Sequence, residues 1–187
     1  MSLALDDKVA EVARAFRAAR IPYAFGGALA LAYYGEPRGT VDIDVNVFVS
    51  SRQAGRVLDR LERIGCAVDR AALRDRIEQD GQARVFWDTT PLDLFFSVDA
   101  FHESCARRAR DVPFGPNSIR VLSAEDLAVF KAIFNRRKDW IDIEQILFAA
   151  APTFDTGYVR AWLDRIVGPD DARRTTFDET SMRLLSR

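Results

Sequence analysis

The sequence predicts an α+β chain, a mixed β-sheet with flanking helices and a C-terminal helical bundle, and three observations carry that prediction. Residues 41–49 alternate strictly, so Val41, Ile43, Val45, Val47 and Val49 share one strand face while Asp42, Asp44, Asn46 and Phe48 share the other. Shorter strand-like runs at Ile21–Phe25, Ala83–Trp87, Leu92–Ser97 and Ile119–Leu122 are separated by amphipathic helical stretches, a pattern that layers helices on a sheet. From Ser123 onward only helical periodicity remains. The expected division is residues 1–122 as the sheet-bearing core and 123–187 as a helical region packed on it.

At 187 residues the chain is long enough to bury a sizeable core, as one large domain or as a core with a helical extension. Its formal net charge of −1 demands neither nucleic acid nor an anionic membrane as partner. Cys66 and Cys105 stand far apart, which argues against a CxxC metal site and a disulfide framework and for reduced thiols. The single histidine, His102, excludes a multi-histidine metal site, and its setting, HESCARRAR, reads as a surface helix. The charged N-terminus is not a signal peptide, and no apolar run approaches the roughly 20 residues that span a bilayer. A soluble, cytoplasmic protein without a membrane partner is therefore expected.

The elements follow in order. Leu5 to Ala19 places Val9, Val12, Ala13 and Phe16 at helical spacing. The strand Ile21–Phe25 runs into Gly26-Gly27, then an apolar helix from Ala28 to Tyr34 stops at Gly35 ahead of Pro37. After the aspartate strand, Ser50 and Ser51 cap a helix whose apolar face is Val57, Leu58, Leu61 and Ile64, ended by Gly65. A short strand at Cys66–Val68, a charged helix Arg70–Gln79, the strand Ala83–Trp87, a turn over residues 88–91 and the strand Leu92–Ser97 come next. A basic-ended helix from Ala100 to Arg110 leads through the loop DVPFGPNS to Ile119–Leu122. Ser123 then opens a helix with Leu127, Phe130, Ile133 and Phe134 as its buried face, followed by helices over Trp140–Ala149 and from Asp155 or Thr156 to Val167. The tail from Asp170 reads as a last helix or a partly disordered segment.

Chemistry concentrates at Asp42 and Asp44. Asp-x-Asp is also how a solvated edge strand reads, but the unbroken β-branched face opposite marks a buried sheet. Side chains at i and i+2 of a strand sit roughly 6.5–7 Å apart, and two like charges so placed repel unless a cation lies between them, for which magnesium is suited. The Gly26-Gly27 pair between strand and helix lets a ligand approach the backbone and presents N–H groups to phosphate, although tight turns use such pairs constantly. Asp93, between Leu92 and Leu94, reads equally as an outward-facing strand residue or as a third metal ligand. Arg38 reads as a partner of Glu36 or as a phosphate ligand, Thr40 as a local hydrogen-bonding residue, and Lys131 as a snorkelling lysine.

Taken together, GGALALAYYGEPRGTVDIDV resembles the nucleotidyltransferase superfamily built on the polymerase-β palm, whose motif is a glycine pair or Gly-Ser, a helix, and Asp-x-Asp on a strand. The Arg-x-Thr-x-Asp-Ile-Asp form most resembles the branch that includes the AbiEii-type toxins of toxin–antitoxin systems. The resemblance implies a palm-like fold and metal-dependent transfer of an NMP from ATP or another NTP to an acceptor hydroxyl. It makes Asp42, Asp44 and Asp93 the catalytic carboxylates and ligands of Mg2+ or Mn2+. It makes Gly26, Gly27, Arg38, Thr40 and Lys131 nucleotide-binding. Arg136, Lys138, Asp139 and Asp142 match the family's Arg-x-Lys-Asp-x-x-Asp, with the two aspartates expected to orient Arg136 and Lys138 rather than to hold metal. The implied acceptor is tRNA, a protein hydroxyl or a small molecule, and a cognate antitoxin is the implied partner. One departure stands out: Gly27 occupies a place where the superfamily often has serine, so a hydroxyl contact to the triphosphate would be missing.

Two readings of other classes compete. An Asp-x-Asp glycosyltransferase usually carries a long nucleotide-binding half before the motif, whereas about forty residues precede it here. A catalytically silent nucleotide- or protein-binding module of the same fold would not need all three carboxylates. The arginines 107, 108, 110, 136 and 137, with Lys138, would form an RNA-binding surface if they gathered on one side.

Overall fold

The structure, a computed structural model, describes residues 3–151 and 153–185. It divides into two compact units: one comprises the chain up to Leu29 with Gly39–Leu122, the other Ala30–Arg38 with the chain from Ser123 on.

The first unit holds a six-stranded mixed sheet in the order β3-β4-β2-β1-β6-β5. These strands are β1 (Tyr23–Phe25), β2 (Ile43–Ser50), β3 (Gln82–Trp87), β4 (Thr90–Ser97), β5 (Arg110–Phe114) and β6 (Asn117–Val121). β2 runs antiparallel to β1 and parallel to β4, while β1 and β6 are parallel, so β2 is paired on both sides. That double pairing is what its valines and Ile43 require: Ile43, Val45 and Val47 are at most 1% exposed. Val41, assigned to the same apolar face by alternation, is 77% exposed, because the strand begins only at Ile43. The helix α1 (Leu5–Ala18) buries Val9, Val12, Ala13 and Phe16 as expected. Phe16, Tyr23 and Phe25 stack edge to face, with centroids 5.6 and 5.4 Å apart.

Several local expectations give way to packing. The helix after the glycine pair, α2 (Gly27–Leu31), is shorter than its apolar run and unwinds into turns up to Tyr34. Neither Ser50 nor Ser51 caps α3 (Ala54–Arg63) through a side chain; a 3-10 turn over Ser51–Gln53 leads into it. Cys66–Val68 contributes a single bridge, Ala67 to Phe86, rather than a strand. Asp69 caps α4 (Arg70–Asp80). DVPFGPNS is not a loop: it supplies most of β5, the turn at Gly115 and the start of β6. β5 is an edge strand, where the missing N–H of Pro113 costs no central ladder bond. In α5 (Ala100–Arg108) His102 is buried and pairs with Asp99 at 2.9 Å, so it is not a surface residue. Cys66 and Cys105 are buried and not joined in a disulfide, and burial pushes the Cys66 thiol up to about 12.

The second unit is helical: α6 (Ala124–Phe134), α7 (Arg137–Ala150), α8 (Thr156–Ile166) and α9 (Ala172–Leu185). α6 packs against the other three. It is therefore buried nearly all round, including Glu125, Asp126 and Lys131, instead of along one apolar face. Leu127 is in the core, but Phe130 and Ile133 are half-buried and Phe134 is exposed. Asp155, rather than Thr156, caps α8, and the tail forms α9. Among the described residues no helix is long and apolar enough to cross a membrane.

Candidate active site

The carboxylates lie in the first unit, and sheet register decides their relation. β2 and β4 are parallel with Asp44 directly opposite Asp93, so the two side chains leave the same face of adjacent strands. Asp42 sits one residue before β2, in a turn that Thr40 ties down: the Thr40 hydroxyl bonds the Asp42 carboxylate and lies 3.3 Å from its carbonyl. Asp42 and Asp44 are partly exposed, as a ligand site requires.

The glycine pair is pressed against this face. Gly26 donates its N–H to the Asp44 carbonyl at 2.9 Å, so that donor is committed to the sheet rather than to a phosphate. A Cβ on Gly26 would meet Asn46 Nδ2 at 2.9 Å. Asn46 itself is 3% exposed, and its Oδ1 is a buried acceptor without a hydrogen-bond partner among the described residues. Gly27 has φ +53°, and a Cβ there would lie 1.8 Å from Asp44 Oδ2. Glycine in the place of serine thus has a local cause: with this backbone, any side chain at 27 would collide with the Asp44 carboxylate.

One residue at this face was not singled out in the sequence. Arg84, on β3 opposite Asp93, donates from Nε and Nη2 to the two Asp93 oxygens at 2.6 and 2.7 Å. The signal was available in the hairpin: Trp87 pairs with Thr90 across a two-residue turn, and counting back from it sets Arg84 against Asp93. Lys8, buried in α1, holds that turn by donating to Trp87 O at 2.9 Å and Thr90 Oγ1 at 3.0 Å, beside Asp88 at 3.2 Å.

Do these groups suit a divalent cation? Among the described residues no three His, Cys, Asp or Glu side chains form a ready cluster for one. Magnesium, however, takes one or two carboxylates from a protein and fills its shell with water and substrate phosphates, so a full protein cage is not required. Hard oxygen donors at Asp42 and Asp44, and a guanidinium standing in as counter-charge at Asp93, fit that chemistry.

The remaining candidates fall in the second unit. Lys131 is 3% exposed and does not snorkel; its Nζ lies 2.5 Å from Asp142 Oδ2 and 3.9 Å from Asp139 Oδ1. Arg38 reaches the same Asp142 oxygen at 3.4 Å rather than Glu36. Asp142 thus joins the two cations expected at a triphosphate, and it is these, not Lys138, that it orients. Asp139 does hold Arg136, accepting from Nε at 2.7 Å and from the backbone N–H at 3.1 Å. The basic residues split, with Arg107, Arg108 and Arg110 in the first unit and Arg136, Arg137 and Lys138 in the second.

Residues 12–165 match the family described as nucleotidyl transferase AbiEii toxin, type IV toxin–antitoxin system. The chain belongs to the AbiEii nucleotidyltransferase family. Its fold is that of polymerase-β-like nucleotidyltransferases. The antibiotic-resistance factor ANT(2'')-Ia in solution superposes with a TM-score of 0.62 at 16% identity, over 98% of this chain and 96% of that one. Its crystal structure with adenylyl-2''-tobramycin gives 0.59 at 14%, over 93% and 97%. The lincomycin-bound lincosamide adenylyltransferase LnuA gives 0.54 at 12%, over 78% and 98%. No curated protein matches the chain in sequence. For an AbiEii family member the glycosyltransferase reading of Asp-x-Asp falls away.

Proposed function

We propose that this AbiEii family protein is a metal-dependent nucleotidyltransferase that moves an NMP from an NTP, such as ATP, to an acceptor hydroxyl. In this reading it acts in the cytoplasm as a toxin on tRNA and is restrained by a cognate antitoxin. The observation that carries the reading is the register of β2 and β4, which sets Asp44 against Asp93 beside Asp42 and the glycine turn. The family description as a type IV toxin supports the biological role.

In this mechanism Asp42, Asp44 and Asp93 would hold Mg2+ or Mn2+, and Asp93 would also help to activate the acceptor hydroxyl. The cation, when bound, offsets charge that develops on the phosphate oxygens. Gly26 and Gly27 supply the bare backbone that lets the triphosphate approach, and Thr40 fixes the Asp42 carboxylate. Arg38 and Lys131, aligned by Asp142, neutralise the triphosphate and the departing pyrophosphate.

Purified protein with each α-labelled NTP, magnesium and total tRNA, run beside Asp42→Asn, tests this. Label on RNA with wild type alone is expected, with Asp42→Asn at least about a thousandfold slower. Label on the protein or on an added aminoglycoside, but not on RNA, would replace the acceptor. Full activity of Asp42→Asn would overturn the mechanism.

A further inference from the structure

Three carboxylates at one end of β2 and β4 need positive charge, and Arg84 brings one such charge to Asp93. Arg84 grips both oxygens of Asp93. Asp93 in turn stands directly opposite Asp44 across the β2–β4 ladder, so the guanidinium borders the paired carboxylates. Arginine stays charged at any pH the protein survives. It can therefore give up Asp93 only by moving away.

The two partners differ in their freedom to do so. Asp93 is anchored between strands with 17% of its side chain exposed, whereas Arg84 stands on the edge strand β3 with 50% exposed. The half-exposed guanidinium can take water in place of Asp93 as it leaves, so a more highly charged cation on Asp93 can displace this two-pronged pair. A divalent cation arriving at this face meets the guanidinium's charge as well as the carboxylates.

We propose that Arg84 is the resident counter-cation of the carboxylate face: it holds Asp93 until a divalent cation binds, then yields that carboxylate, and so sets the cation affinity of the site. The inference rests on the metal reading of Asp42 and Asp44. Arg84 is here a positioning residue, acting through Asp93.

The test is direct Mn2+ binding to the full chain, without nucleotide or acceptor, followed by the electron paramagnetic resonance of free Mn2+. Wild type, Arg84→Gln, Arg84→Lys and the double variant Asp42→Asn/Asp44→Asn are compared. Removing one positive charge a few ångströms from the ion is expected to tighten Mn2+ binding by on the order of tenfold in Arg84→Gln. Arg84→Lys, which keeps the charge but loses the fork, is expected within about threefold of wild type. In EDTA, Arg84→Gln is expected to melt below wild type, and Mn2+ to raise its midpoint by more. Wild-type or weaker affinity in Arg84→Gln, with the double variant still losing Mn2+, would overturn the role of Arg84 alone. Mn2+ binding that ignores the double variant, or no binding by any protein, would overturn the metal reading and this inference with it.

Discussion

At the scale of single residues, Gly27 makes the sharpest case. The motif made its side chain look like a missing contact, yet the structure makes it a required absence, since a Cβ would lie 1.8 Å from Asp44 Oδ2. Gly27→Ser must therefore push the Asp44 carboxylate aside and hold a positive φ of 53° with a side chain attached. We expect nucleotidyl transfer to fall by about a hundredfold or more, because displacing a catalytic group by about 1 Å costs on that order. The backbone conformation adds about 1 kcal/mol of destabilisation, measurable as a lower urea midpoint. Near wild-type turnover in Gly27→Ser would show that the turn can re-form with a different φ. Asp42 and Asp44 stand out in the sequence through strand alternation and the motif, Asp93 only through the resemblance, and it is the β2–β4 register that sets Asp93 opposite Asp44. Arg84 was not, because nothing in Ala83–Trp87 marks an arginine as more than an outward strand residue until the hairpin register is fixed. His102 and Lys131 misled in the same way: charge in the sequence reads as surface, and only packing shows that both are buried, paired with Asp99 and Asp142.

Elements were legible where one periodicity served one environment. β2, with apolar residues on one face and pairing on both sides, and α1, with one buried stripe, formed as their patterns require. β5 was hidden by Pro113 and the Gly115-Pro116 turn, which punctuate like a loop but are compatible with an edge hairpin. α6 was misjudged because a helix packed on three others buries polar side chains that its amphipathic pattern assigns to solvent. That burial makes the α6–α7 contact depend on charge pairing: Lys131 and Asp142 are both nearly inaccessible and 2.5 Å apart. Asp142→Asn leaves the Lys131 ammonium buried with Asp139 at 3.9 Å as its other acidic neighbour. Breaking such a pair is expected to cost about 3 kcal/mol of stability, read from urea unfolding. A loss below about 1 kcal/mol would show that the lysine finds water or Asp139 instead.

Across the whole molecule, the chain does not divide at one point. The units change over between Leu122 and Ser123, but Ala30–Arg38, which lies within the stretch expected as core, belongs with the helical unit. Sequence pattern could not show this, because the segment is short, turn-rich and adjoins the glycine motif of the other unit. Its contacts are specific: a Cβ at Gly35 would sit 3.0 Å from Gln145 Cβ, and Arg38 bonds Asp142, both partners being on α7. Removing the segment would uncover that face of α7 and leave the Lys131–Asp142 pair with one cation fewer and more water. A fragment of residues 123–187 is accordingly expected to show weak helicity and no cooperative thermal transition by circular dichroism, since marginal helices depend on tertiary contacts. Adding a peptide of residues 30–38 through a flexible linker should restore part of the transition, because the tether supplies a high effective concentration. A fragment that melts cooperatively without the peptide would mean that the four C-terminal helices fold alone, and that the segment borrows their surface rather than completing it.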